Sequence, residues 1–191
     1  MIKLKTYSEI FAGYSFRNSL NTNDLKKFGV LNLKDINNSL KEINYQNLST
    51  TSEFTGSHRY LLQDRDILLV ARGKTNEAML FEMSKYDAHP VIPSGAFMVI
   101  RTMPEYLDPT YAVWYFNLPS SQSYLKRTQV GTTVQNLPIG VVQDFEINIP
   151  PLQKQQIIGK LYLLFQELGQ LTRLRDEKYS QLIDEQLKGL L

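Results

Sequence analysis

The 191-residue sequence contains no cysteine and only two histidines. Without thiolates there is no disulfide framework, no cysteine-built zinc site and no cysteine nucleophile. His58 and His89 stand in no HxxxH or HExxH spacing, so a histidine metal site or a Ser-His-Asp triad has little material. Both read as ordinary polar side chains. Net charge is also scarce: 21 Lys+Arg against 19 Asp+Glu leaves +2, so a nucleic-acid face would have to be a local patch balanced by acids elsewhere. No hydrophobic run approaches the roughly 18 residues that a membrane span needs. Ser8 and Glu9 interrupt the apolar stretch that a signal peptide would require behind Lys3 and Lys5. The expectation is a soluble, cytoplasmic chain of one ordinary domain with an appendage.

Catalytic patterns are missing as well. A phosphate-cradling GxxxxGK[ST] loop does not occur. Methyl transfer to an exocyclic amine would call for a glycine-rich turn and an Asn/Asp-Pro-Pro-aromatic segment, but Pro150-Pro151 follows Asn148-Ile149 and precedes Leu152. The nearest thing to a nuclease cluster, Asp176-Glu177-Lys178, falls on the polar face of a helix, where a solvated surface is the plainer account. The chain reads as a non-enzyme that binds no cofactor or metal of its own.

What is present is a mixed first part and a leucine-rich second part, with the break at Pro150-Pro151. Residues 1–149 form the expected domain and 150–191 a long helix. Strands are expected at Phe28–Leu33, Ile67–Arg72, Met79–Met83, Phe97–Thr102 and Phe145–Ile149, from their length and β-branched or aromatic content. Asp108-Pro109 is an N-cap followed by proline at the first helical position, opening a helix that carries Tyr111, Ala112, Trp114, Tyr115 and Phe116 into the core. Ser120 or Ser121 is expected to cap a second helix running to about Arg127, with Val130 to Thr133 in a turn or a loop. The class is α+β.

In the last segment Ile157, Leu161, Leu164, Leu168 and Leu171 alternate steps of four and three, a heptad seam. Beyond it Leu174, Tyr179, Ile183, Leu187 and Leu190 follow a shifted phase, so the repeat stutters across Arg173 to Lys178. Such a stripe is often the core face of a globular helix. Here about 40 residues at 1.5 Å each reach about 60 Å, longer than the domain that would cover them. The expected cover is an equivalent helix from a second copy or another polypeptide.

Between Pro109 and Gln143 there is no Asp or Glu. Within that gap Lys126, Arg127, Thr132, Thr133 and Gln135 supply the cations, hydroxyls and amide that hold phosphates and read base edges. Arg59, Arg65, Arg72 and Lys74, with Arg17 near the start, form a second cationic set. Polar loops of this composition also occur in proteins that bind nothing.

The order of several segments resembles the DNA specificity subunits of type I restriction-modification systems. The segments are Gly13-Tyr-Ser-Phe-Arg17; Leu62-Gln-Asp-Arg-Asp-Ile-Leu-Leu-Val-Ala-Arg-Gly73; Tyr111 to Phe116 ahead of Leu125; Gly131-Thr-Thr-Val-Gln-Asn-Leu137; and Ile147-Asn-Ile-Pro-Pro-Leu-Gln-Lys-Gln-Gln-Ile157. The last is the most telling, since in that family a similar phrase closes the recognition domain and opens a long helix. Lys154 and Asn148 depart from the residues common there without disturbing the strand, Pro-Pro, helix order.

The resemblance implies an α/β-type target recognition domain with a curved mixed sheet that grips the major groove of one half of a two-part double-stranded DNA site. It implies a coiled-coil helix that pairs antiparallel with another and serves as a ruler between two domains. Catalysis would lie with partners: a methylation subunit carrying S-adenosylmethionine, and a restriction subunit. One domain and one helix make half of the usual subunit, so a homodimer through Ile157, Leu161, Leu164, Leu168, Leu171, Ile183 and Leu187 is expected, and with it an inverted-repeat site. Competing readings are a small nuclease or methyltransferase, a coiled-coil adaptor that binds no DNA, and the target module of a different modification system.

Overall fold

Apolar residues on both faces of the same strands decide the layering. The computed structural model describes residues 1–16, 28–37, 42–46, 48–52, 54–73, 75–86, 89–131 and 135–188. In chain order these form β1 (Ile2–Lys3), β2 (Ser8–Ala12), β3 (Phe28–Leu31), β4 (Ile36–Asn37), β5 (Glu42–Ile43), β6 (Ser49–Thr51), β7 (Ile67–Val70), β8 (Ala78–Leu80), β9 (Val91–Pro93) and β10 (Phe97–Thr102). Then come α1 (Pro109–Phe116), α2 (Pro119–Thr128), α3 (Ile139–Gln143), β11 (Glu146–Ile147) and α4 (Leu152–Lys188).

The central sheet has the order β2-β10-β7-β8, antiparallel throughout. Because side chains alternate along a strand, Ile10, Ile67, Leu69, Ala78, Met98 and Ile100 face one core, and Phe11, Leu68, Val70, Met79, Phe97 and Val99 face another. The first core is closed by α1, α2 and α3 through Tyr111, Ala112, Phe116, Leu125 and Val142. The second holds Leu31 of β3 and Val91 of β9, members of the sheet β6-β3-β9, together with Ile36, Ile43, Leu62 and Phe81. β3 pairs parallel with β9 and antiparallel with β6, so the mixed pairing lies in this second sheet. The result is three layers: helices, sheet, sheet.

Phe97–Thr102 forms with the expected bounds, and the other four expected strands form but shorter. Phe28–Leu33 stops at Leu31 because Asn32 and Asp35 build a reciprocal capping box around the 3-10 turn Leu33–Asp35. Met79–Met83 pairs as Ala78–Leu80, after which Phe81 bonds back to Asp66 and the chain turns at Met83–Lys85. Ile67–Arg72 ends as a strand at Val70, and of Phe145–Ile149 only Glu146 and Ile147 pair, with Lys3 and Ile2. The second helix begins two residues before Ser121: Pro119 opens it behind Leu118, whose side chain offers no cap, and Ser121 is buried. Proline's fixed φ does there what a serine cap was expected to do.

Asp108 caps α1 as expected, its Oδ1 accepting from the backbone N–H of Thr110 at 2.9 Å and of Tyr111 at 3.0 Å. Tyr111 and Phe116 are buried, whereas Trp114 and Tyr115 are only half-buried. α4 is one helix of 37 residues, about 55 Å long at 1.5 Å per residue. Among the described residues no helix is long and apolar enough to cross a membrane.

Candidate DNA interface and helix seam

The register of the central sheet separates two ends. At one lie Ala12, Val70, Ala78 and Phe97; at the other Ser8, Ile67, Leu80 and Thr102. The loops after β2, between β7 and β8, and before β10 therefore gather at the first end. The segment Val130–Leu137 joins them: Leu137 N–H donates to Ala71 C=O at 2.9 Å, and Asn136 bridges both Arg72 and Val130. α2 borders the same group, because the Gln122 amide donates to Asn76 C=O at 2.8 Å and Asn76 in turn donates to Val70 C=O at 2.9 Å. Lys126 thus lines a small cleft with Thr75, Asn76, Gln122 and Ser123.

Arg72, Lys126, Arg127 and Gln135, separated by as many as 63 positions in the sequence, are exposed on this end. Arg72 Nε donates to Asn136 Oδ1 at 3.4 Å, which leaves the rest of its guanidinium fork open to an acceptor. Among the described residues no carboxylate pairs with Arg72, Lys126, Arg127 or Arg59. Arg17, Lys74, Thr132 and Thr133 lie outside the described residues.

Arg59 sits apart, in the 3-10 turn His58–Tyr60. Its guanidinium lies 5.6 Å from the Phe11 ring and 5.3 Å from the Tyr60 ring, distances at which a cation is drawn to an aromatic face. It borders a cleft of about 800 Å³ with Gly13, Tyr14, Thr55 and Ile139. Tyr14 meets the rings of Phe16, Phe54 and Tyr60 edge-on at 4.9–5.4 Å. The structure does not bring Arg59 to the Arg72 and Lys126 group; Ile139, just past Leu137, borders the Arg59 cleft.

At the opposite end Arg101, Arg65, Lys3 and Lys5 are paired. Arg101 donates through Nε and Nη2 to the buried Asp66 carboxylate at 2.9 and 2.7 Å, and Asp66 also accepts from Gln63 N–H at 2.8 Å. The Asp66 hydrogen bond holds the Arg101 guanidinium above its already high range. Arg65 does not belong with the exposed set: it turns through φ 65° and pairs with Asp108 at 3.4 Å, beside the root of α4. Lys5 and Lys3 both bond the exposed Asp144 carboxyl and hold it below the usual carboxylate range.

α4 docks one stripe and exposes another. Gln155 and Gly159 are buried against α1, and Ile158, Tyr162, Gln166 and Gln170 are half-buried. Asn117 at the end of α1 donates to Tyr162 Oη at 3.0 Å, and burial pushes the Tyr162 phenol up. At about 100° per residue these positions share one side of the helix. Ile157, Leu161, Leu164, Leu168 and Leu171 lie about 180° away, while Ile183 and Leu187 follow the shifted phase beyond the docked turns. Ile157, Leu161, Leu164, Leu168, Leu171, Ile183 and Leu187 are each 49–59% exposed. From Leu171 to Lys188 every residue is exposed. The reading of this stripe as the core face of its own domain therefore does not hold for this chain; Leu190 lies outside the described residues.

Sequence reasoning passed over Gln155 as a functional position, although it stands inside the Pro-Pro phrase. The signal was a lone amide on the apolar side of a helix, between Leu152 and Gly159.

Exposed cations and amides on loops at one end of a layered domain, with a protruding helix rooted at the other, are the layout of a nucleic-acid reader mounted on a spacer. The chain belongs to the type I restriction modification DNA specificity domain family, which it matches over residues 1–167. The S subunit of a type I restriction-modification system from M. genitalium is 15% identical and superposes with a TM-score of 0.56 over 87% of this chain and 38% of its own. The HsdS subunit from Thermoanaerobacter tengcongensis is 15% identical, with a TM-score of 0.59 over 88% of this chain and 37% of its own. A chain from a type I system solved for its complex assembly and conformational transition is 16% identical, with a TM-score of 0.65 over 95% and 42%. These likenesses concern the fold. The chain spans about two-fifths of the length of these solved chains.

Proposed function

We propose that the chain is a sequence-specific DNA-recognition subunit of a type I restriction-modification complex, reading one half of a bipartite double-stranded site. The reader is residues 1–149 and the spacer helix is residues 150–191. The observation that carries this reading is the pairing pattern of the cations. At the root end Arg101, Arg65, Lys3 and Lys5 are held by Asp66, Asp108 and Asp144, while Arg72, Lys126 and Arg127 face outward without a carboxylate among the described residues. Exposed cations beside hydroxyls and amides hold phosphates and position base-reading groups.

Catalysis is assigned to partners. A methylation subunit that binds S-adenosylmethionine docks on the helices and modifies adenine, and a restriction subunit joins for cleavage. Two copies of the chain pair antiparallel through the seam, which places two readers on one duplex at an inverted repeat. Such a complex works on the chromosome in the cytoplasm. Methylome sequencing of cells expressing this chain with its methylation subunit tests the proposal. A split palindromic motif carrying methyladenine is expected; no new methylated motif, or an unsplit one, would overturn it.

A further inference from the structure

We propose that Gln155 and Gly159 fix the direction in which α4 leaves the reader, and that this direction sets the separation between two half-sites. The second clause rests on the DNA-reading function proposed above; the first does not.

Gln155 is 1% exposed. Its Oε1 accepts from Asp108 N–H at 2.9 Å, and its Nε2 donates to Tyr106 C=O at 2.9 Å and to Pro150 C=O at 2.8 Å. One amide thus joins the first turn of α4, the segment entering α1 and the lead-in to α4 itself. Both of its N–H donors and its oxygen are used, as a buried amide requires. One turn later the helix backbone meets α1 directly. A Cβ at Gly159 would stand 2.1 Å from Thr110 Oγ1, 2.8 Å from Thr110 Cβ and 2.9 Å from Tyr111 N. Thr110 is not free to yield, because its hydroxyl and its backbone N–H are both held by Asp108 Oδ1.

These first two contacts of the helix lie about 6 Å apart along its axis, four residues at 1.5 Å each, and the docked stripe continues to Tyr162, which accepts from Asn117; a rigid helix tilting at its root turns about Gln155. Lys188 lies about 50 Å beyond Gln155 on the same count. A displacement of about 1 Å at Gly159 becomes about 8 Å at the far end. At 3.4 Å per base step that is about two base pairs of spacer. The seam that would pair with a second copy starts at Ile157, between the two fixed points, so the partner helix inherits the same direction.

The absence of native cysteine makes the test direct. Spin labels at the exposed positions Ser84→Cys and Glu177→Cys, in labelled chain diluted into excess unlabelled chain, report the angle between reader and helix as a distance distribution. The parent should give one narrow distance. Gly159→Ala should move it by several ångströms, and Gln155→Ala or Gln155→Glu should broaden it, since a carboxylate cannot donate to the two carbonyls. Selection from a pool of random-sequence duplexes should return the same half-sites for the parent and Gly159→Ala, with the spacer changed by about one or two base pairs. A purely structural role would lower the melting temperature and leave distance and spacer unmoved.

A broad parental distribution, or variants that keep the parental distance, would overturn the lock. A moved distance with an unmoved spacer would overturn its link to half-site separation. Failure of the parent to select any split site would sink the DNA reading while the distances still judge the lock. Should Gly159→Ala not fold, Gln155→Ala carries the same comparison.

Discussion

Arginine does two physically different jobs in this molecule, and a substitution series separates them. Arg101 satisfies a carboxylate that is 1% exposed, through two hydrogen bonds, and also donates to Leu61 C=O at 3.2 Å. Removing it strands a buried charge, so Arg101→Ala should cost about 3 kcal/mol or more of unfolding free energy in a denaturant titration. Lys126 and Arg127 are exposed at the end of α2, and replacing both by alanine should change stability by less than about 0.5 kcal/mol. If both contact phosphates, the double variant should bind all DNA sequences more weakly and lower the salt slope of log K by about two. An unchanged slope with lost discrimination would make them base readers instead.

Tyrosines supply a pH test of the same cores. Burial pushes Tyr45 up to about 12, and does the same to Tyr111, with Tyr115 adding to it. Tyr111 Oη donates to Asn148 C=O at 2.6 Å, next to the root of α4. Both pKa values are raised above the ordinary 10, so the folded state keeps protons that the unfolded chain releases. That contribution is fully present below pH 10 and is lost as pH rises toward 12. Denaturant midpoints should fall across this window, and the fall should be shallower in Tyr45→Phe and Tyr111→Phe; equal slopes in all three proteins would contradict the assignment.

At the scale of elements, patterns that are local in sequence were legible and those that depend on distant partners were not. The Asp108-Pro109 start and the 37-residue α4 follow from capping and heptad spacing alone. β1, β2, β4, β5, β6, β9 and α3 escaped, because two to five residues carry too little periodicity and their pairing is decided elsewhere in the chain. Val91–Pro93 is a strand only because Phe28–Leu31 lies beside it in parallel. The candidate interface shows the same division. Lys126, Arg127 and Gln135 were visible as an acid-free stretch, but Arg65 and Arg72 look alike in sequence. Only the fold sends one to Asp108 and the other to the loop end.

The seam of α4 was legible in spacing, and its freedom follows from the opposite face being committed to α1. Leu164→Glu with Leu168→Glu should therefore yield a folded monomer, with melting close to that of the parent in dilute solution. Sedimentation at low micromolar concentration checks it, and a dimer that persists would remove the seam from the interface.

On the scale of the whole molecule, the proposed dimer would carry two readers on one rod-like support, and these would gain from linkage what each lacks alone. Once one reader holds its half-site, the second meets its own at an effective concentration set by the support, and avidity of this kind reaches about 10²- to 10⁴-fold. The parent should therefore lose about that factor when one half-site of a selected duplex is scrambled. The Leu164→Glu, Leu168→Glu protein should bind the intact duplex about as weakly as the parent binds the scrambled one, since each retains a single productive reader per duplex. Combining the seam variant with the scrambled duplex should cost little more. Leu164 and Leu168 stand on the exposed side of α4, apart from the stripe that docks on the reader, so the variant should also keep the sequence preference of its remaining half-site. Competition binding at fixed salt decides the matter: independent, multiplicative losses would mean that the helix contributes to affinity by some route other than joining two readers.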